Sequence, residues 1–102
     1  MDKFLLMLGL CRRAGAIIMG TPLVTASLPK GKTKLVIYAP DASANTKKKI
    51  TDKCAFYGVQ CIEATHTSLE LSKAIGKESA ICVLGITDDS FSHELIKQVE
   101  AR

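Results

Sequence analysis

Residues 34–59 read KLVIYAPDASANTKKKITDKCAFYGV, and the order of their parts decides the fold. KLVIYA, residues 34–39, is an aliphatic run of strand length without polar alternation, as expected of a central strand buried on both faces. PDASAN is a turn-forming stretch whose Asn45 is expected to cap a helix over Thr46–Tyr57. In that helix Ile50, Cys54 and Tyr57 recur at spacings of four and three, which assigns them to the core face. Gly58 closes it. A buried strand, a short loop and an amphipathic helix form the repeating unit of an α/β protein.

The same rhythm extends in both directions. FLLMLGLCRRAG, residues 4–15, has apolar side chains at 4, 7, 8 and 11 and ends on Gly15, which predicts a helix with a glycine C-cap. Ala16–Met19 suits a short strand. Thr21 as N-cap and Pro22 at the first helical position predict a second helix, with Leu23, Val24 and Leu28 on its apolar side and Pro29 and Gly31 stopping it. Downstream, Val59–Ala64 is a strand. THTSLELSKAIG, residues 65–76, carries Thr67 and Glu70 at capping-box spacing. AICVLGI, residues 80–86, is the second aliphatic strand, and DDSFSHELIKQVEA is a final helix with acids in its first turn. Five helices and three or four strands imply an α/β class: a single-domain three-layer α/β/α sandwich with a small, largely parallel or mixed sheet.

The chain has 102 residues, enough for one domain spanning 1–102 with one core. A hydrophobic content of 47% with 24% charged residues excludes a disordered or fibrous protein. The apolar start reaches Arg12 and Arg13 too soon to cross a bilayer, and Asp2 and Lys3 leave no positive leader region, so a cytoplasmic protein is expected. Cys11, Cys54, Cys61 and Cys82 form no CxxC pair. They are expected to be reduced and largely buried, with spacing that leaves room for two of them to be neighbours in space.

No cofactor or catalytic centre is indicated. Residues 26–33, ASLPKGKT, fit a relaxed phosphate-loop pattern, but a helix precedes the pattern and a strand follows it, the reverse of the context that converges amides on phosphate. Lys30–Lys34 therefore read as a basic turn. His66 and His93 lie in polar settings, and no Ser or Cys occupies a nucleophile elbow. Asp88 and Asp89 complement a helix dipole and have no further ligands nearby to make a metal site.

Charge is uneven along the chain. Residues 1–54 hold ten Lys or Arg and three acids, whereas residues 55–102 hold four and seven. Lys47, Lys48 and Lys49 stand at the start of a helix, an end already positive, with Asp52 as the one acid able to pair with Lys48 or Lys49. Lysines beside open helix amides make an anion site, and the phosphates of a polyanion are the expected ligand.

LGLCRRAGAIIMG, KLVIYAPDASANTKKKITDKCAFYGV and LELSKAIGK, in this order, resemble successive segments of the ribosomal protein L7Ae family of kink-turn RNA binders, and in particular its bacterial YlxQ-like branch. The resemblance implies an α/β/α sandwich and a non-catalytic RNA-binding protein, ribosomal or ribosome-associated. In that family RNA is held by the start of the second helix, the loop after the central strand and the loop before the fourth helix. Gly20 and Thr21 match a Gly-Thr-Asn-Glu-type signature, while Pro22, Leu23 and Ala26 stand where the family has Asn, Glu and Lys. Proline and leucine side chains offer guanine no hydrogen bond, so base-specific contacts at this helix end are largely lost and phosphate contacts remain. The Asp41–Thr46 loop and Lys47 match in place, and Ala64–Ser68 occupies the position of a hydrophobic loop but is polar. The expected RNA-binding residues are Gly20, Thr21, Lys32, Lys34, Asp41, Asn45, Thr46, Lys47 and Lys48, with Arg12 and Arg13 as extensions. The expected partner is ribosomal or other structured RNA, alone or on the ribosome, without DNA specificity. A protein-interaction module on the same fold is the competing reading, and it would lack the salt dependence of phosphate contacts.

Overall fold

Asp2 opens the first helix in the computed structural model, which describes residues 2–100. Its carboxylate accepts from the amides of Phe4 at 2.8 Å and Leu5 at 3.2 Å, satisfying two donors that have no intrahelical partner. Helix α1 (Lys3–Arg13) then runs until the chain turns at Gly15, whose φ of 69° suits a residue without Cβ. The remaining elements follow in strict alternation: β1 (Ile17–Met19), α2 (Thr21–Ser27), β2 (Leu35–Tyr38), α3 (Ala44–Tyr57), β3 (Gln60–Glu63), α4 (Ser68–Ala74), β4 (Val83–Ile86) and α5 (Asp89–Glu100).

The four strands form one mixed sheet in the order β1-β4-β2-β3. β2 pairs parallel with β3 and antiparallel with β4, which in turn pairs antiparallel with β1. β1, β2 and β3 therefore point the same way. As KLVIYA predicted, β2 is an inner strand, and Leu35, Val36 and Ile37 are fully buried.

Alternation along β2 divides the core into two. Leu35 and Ile37, with Leu84 and Ile86 of β4, pack against Phe4, Leu8 and Cys11 of α1, Leu71 at α4 and Leu95 of α5. Val36 and Val83 face Val24 and Leu28 at α2 and Ile50 and Cys54 of α3. Two helices on one face and three on the other make the expected α/β/α sandwich. Gly85 of β4 lies on the α2 side, where an added Cβ would meet Thr33 at 3.0 Å. No described helix is long and apolar enough to cross a membrane.

Several local expectations are corrected. The cap of α3 is Ser43, not Asn45: its hydroxyl accepts from the Thr46 amide at 3.1 Å, so the helix begins two residues earlier than expected. The N-cap of α2 is Gly20, with φ 94°, and Thr21 is its first helical residue. Tyr57 is 40% exposed and Leu23 is 64% exposed, so neither belongs to the core. β4 covers only the second half of AICVLGI. The Thr67–Glu70 capping box is present in both directions.

The cysteines are free. Cys11 and Cys54 are buried, whereas Cys61 and Cys82 are part-buried. Burial, with the Asp88 charge nearby, pushes the Cys11 thiol up to about 11, so it stays protonated at neutral pH. Cys54 and Cys61 share a thiol hydrogen bond between α3 and β3, and this bond together with burial raises the Cys61 thiol.

Candidate nucleic-acid interface

The parallel direction of β1, β2 and β3 brings their carboxyl ends to one edge of the sandwich. There the Gly20 amide donates to Val83 O at 2.9 Å, the Ala39 amide to Cys82 O at 2.8 Å, and the Ala64 amide to Tyr38 O at 2.9 Å. Three separate segments thus leave the sheet side by side: the start of α2, the β2–α3 loop and the β3–α4 loop. The carboxyl ends of strands are where open α/β sheets hold ligands, because the loops diverge there.

Asp41 ties two of these segments together. Its Oδ1 accepts from the Ser68 amide at 2.8 Å and its Oδ2 from the Ser68 hydroxyl at 2.6 Å, so a residue of the β2–α3 loop anchors the start of α4. These bonds, aided by the Lys47 charge, hold the Asp41 carboxyl below the ordinary carboxylate range. Both oxygens are engaged, which makes Asp41 a brace for the loops.

The start of α3 presents the cations. Ala44, Asn45 and Thr46 form its first three positions, and Ser43 satisfies only the Thr46 amide, leaving the amides of Ala44 and Asn45 without an intrahelical carbonyl. Lys47 meets Glu63 at the end of β3, Nζ to Oε2 3.2 Å. Lys48 pairs with Asp52 at 3.2 Å. Among the described residues Lys49 makes no such pair. Part of the repulsion between three lysines and a positive helix end is therefore relieved within the chain. The Lys47 and Lys48 pairs are solvent-exposed, each worth about 0–1 kcal/mol, weak enough for a phosphate to compete.

Of the residues expected from sequence, Gly20, Thr21, Asp41, Asn45, Thr46, Lys47 and Lys48 meet at this edge. Lys32 and Lys34 do not. The Lys34 amide donates to Ile86 O at 2.7 Å, at the amino end of β2, and five residues of strand separate it from Ala39, about 17 Å. Arg12 and Arg13 end α1 at that same far edge, next to Ala16 and its bond from Thr87. The nine residues therefore divide into two groups at opposite ends of the sheet. Ser43, Glu63 and Ser68, which build the nearer edge, were not singled out. Ser43 is at a cap position that sequence offers to several residues, whereas the Ser68 and Glu63 pairings depend on loop packing and strand register.

Pro22, Leu23 and Ala26 all lie exposed on α2. Leu23 turns an apolar side chain to solvent there. His66, in the β3–α4 loop, is turned inward: its Nε2 is 2.7 Å from Asp2 Oδ2 and its ring stacks on Phe4 at 5.4 Å between centroids.

Comparison with known proteins agrees with this architecture. Residues 2–96 match the model of the ribosomal protein L7Ae/L30e/S12e/Gadd45 family. The RNA-binding protein YlxQ of Bacillus subtilis strain 168 is 37% identical over 94 residues, 92% of each chain. The protein of the same name from Enterococcus faecium is 39% identical over 99 residues, 97% of this chain and 93% of its own. A solved structure from Bacillus halodurans C, described as a protein with unknown function, superposes with a TM-score of 0.93 at 34% identity, covering 98% of this chain and 99% of the other. This chain belongs to the ribosomal protein L7Ae/L30e/S12e/Gadd45 family.

Proposed function

We propose that this protein binds structured RNA, ribosomal or ribosome-associated, through the edge formed by the start of α2, the β2–α3 loop and the start of α3. The observation that carries the reading is the placing of Lys47 and Lys48 in the first turns of α3, just after the open amides of Ala44 and Asn45 and beside loops fixed by the Asp41–Ser68 bonds. The RNA-binding name of two relatives that align over more than nine-tenths of this chain supports it.

The preferred RNA is a kinked or bulged duplex, recognised by backbone shape. Pro22, Leu23 and Ala26 supply no hydrogen-bonding side chains for sheared base pairs, and the polar Ala64–Ser68 loop offers little apolar contact to a flipped-out base. Affinity then resides in phosphate contacts from lysines and amides, which position RNA without reading its sequence. The reading is non-catalytic.

The test is a titration of a kink-turn RNA and of the same duplex without its bulge, at one fixed salt concentration. Tighter binding to the kinked RNA is expected, and it should weaken on raising salt. Binding to neither RNA would overturn the proposal.

A further inference from the structure

Phe56 is 82% exposed in a chain with only five aromatic residues. Its neighbour Tyr57 is 40% exposed and meets it edge-on, with ring centroids 4.9 Å apart and an interplanar angle of 86°. A lone exposed apolar side chain is ordinary. This one has specific neighbours. At 100° per residue, Lys49, Lys53, Phe56 and Tyr57 fall within about 100° of the circumference of α3, and Lys49 to Phe56 spans about 10 Å along its axis. Asp52, the nearest acid on the helix, is taken by Lys48. Among the described residues neither Lys49 nor Lys53 pairs with a carboxylate.

We infer that the outer face of α3 is a second RNA-binding site, for unpaired nucleotides, with Phe56 as a platform for one base and Lys49 and Lys53 holding the adjoining phosphates. An aromatic ring beside unpaired cations is the combination that binds single-stranded RNA, since every base offers a π-face and every nucleotide a charge. Tyr57 stands at 86° to the Phe56 ring, which remains 82% exposed beside it. The site is continuous with the start of α3, and the Leu35–Gln60 register places Lys34 and Lys32 at the sheet edge where α3 ends, so the strip leads from one basic group toward the other. This deepens the proposed function, on which it rests: a structured element sits at the strand ends and a single-stranded flank runs down α3.

The experiment compares the kink-turn RNA with the same RNA carrying a short unpaired uridine tail on either end, together with a free uridine oligonucleotide, by fluorescence anisotropy. The tail on one end is expected to tighten wild-type binding about 10-fold, with Phe56→Ala abolishing that increment, leaving untailed RNA unaffected, and Phe56→Trp restoring it. Lys49→Ala with Lys53→Ala should lower the salt slope of the increment by about 1.4, at about 0.7 for each single-strand phosphate contact. Equal affinities for tailed and untailed RNA, unchanged in Phe56→Ala, would overturn the inference. If no kink-turn RNA binds, the proposed function fails by itself. Oligonucleotide binding lost in Phe56→Ala would then still support the platform, and no oligonucleotide binding would overturn it. Self-association abolished by Phe56→Ala, without any effect on RNA, would also overturn it.

Discussion

Asp41 and Ser68 lie 27 positions apart in sequence and are joined by two hydrogen bonds, of 2.8 Å to the Ser68 amide and 2.6 Å to its hydroxyl. The pair fixes the β2–α3 loop to the first residue of α4, so two walls of the proposed RNA edge move as one. Asp41→Ala is expected to weaken RNA binding without removing a direct contact, and Asp41→Asn, which still accepts from one donor, to weaken it less. Affinity and melting temperature measured for both variants check this ordering.

Three carboxylates at this side of the molecule set the acid limit of the fold. Ser68 holds Asp41 low, His66 holds Asp2 low, and the Thr67 amide holds Glu70 low. A carboxyl depressed in the folded state contributes stability that is present above its unfolded value, about 3.9–4.3, and lost as pH falls through the folded one. Denaturant midpoints should therefore hold level from pH 7 to pH 5 and fall below about pH 4. In Asp41→Asn the decline should be shallower.

On the proposed reading, Glu63 competes with RNA for Lys47. Removing its charge frees an ammonium now 3.2 Å from the carboxylate. Glu63→Gln should raise RNA affinity about two- to fivefold at low salt and change stability by less than about 1 kcal/mol, since the pair is solvent-exposed. Binding isotherms with a parallel urea titration check both halves.

Ser72 is fully buried and serves two segments at once. Its hydroxyl donates to Ser68 O at 2.8 Å and accepts from the Ile81 amide at 2.6 Å, joining α4 to the chain that enters β4. Ser72→Ala should cost about 1–3 kcal/mol by orphaning the Ile81 amide. Gly85→Ala should cost a similar amount, about 1–3 kcal/mol, because the new methyl would press on Thr33, whose hydroxyl bonds Ser27 at 2.5 Å. Urea denaturation of each variant checks these values.

Local chemistry was legible and long-range geometry was not. Apolar spacing revealed α1, Gly15 and Gly58 marked positive-φ turns, and Thr67 with Glu70 announced a capping box, because each signal is complete within a few residues. Ser43 and Asn45 are both good cap residues, so the choice of Asn45 from sequence rests on chemistry that Ser43 shares, and the chain uses Ser43. Tyr57 repeats at core spacing yet stands in the last turn of α3, beside Gly58, and is 40% exposed. Lys32 and Lys34 share the basic half of the chain with Lys47, but a strand carries its two ends apart. Lys47–Glu63 and Asp41–Ser68 depend on strand order and loop packing, which no local pattern records.

The most direct test of the proposed RNA edge is an amide chemical-shift map on adding an untailed kink-turn RNA. The account predicts that perturbations cluster at Gly20–Thr21, Ala42–Lys49 and Thr65–Ser68. Perturbations confined to Arg12–Arg13 and Lys30–Lys34, at the opposite end of the sheet, would contradict it.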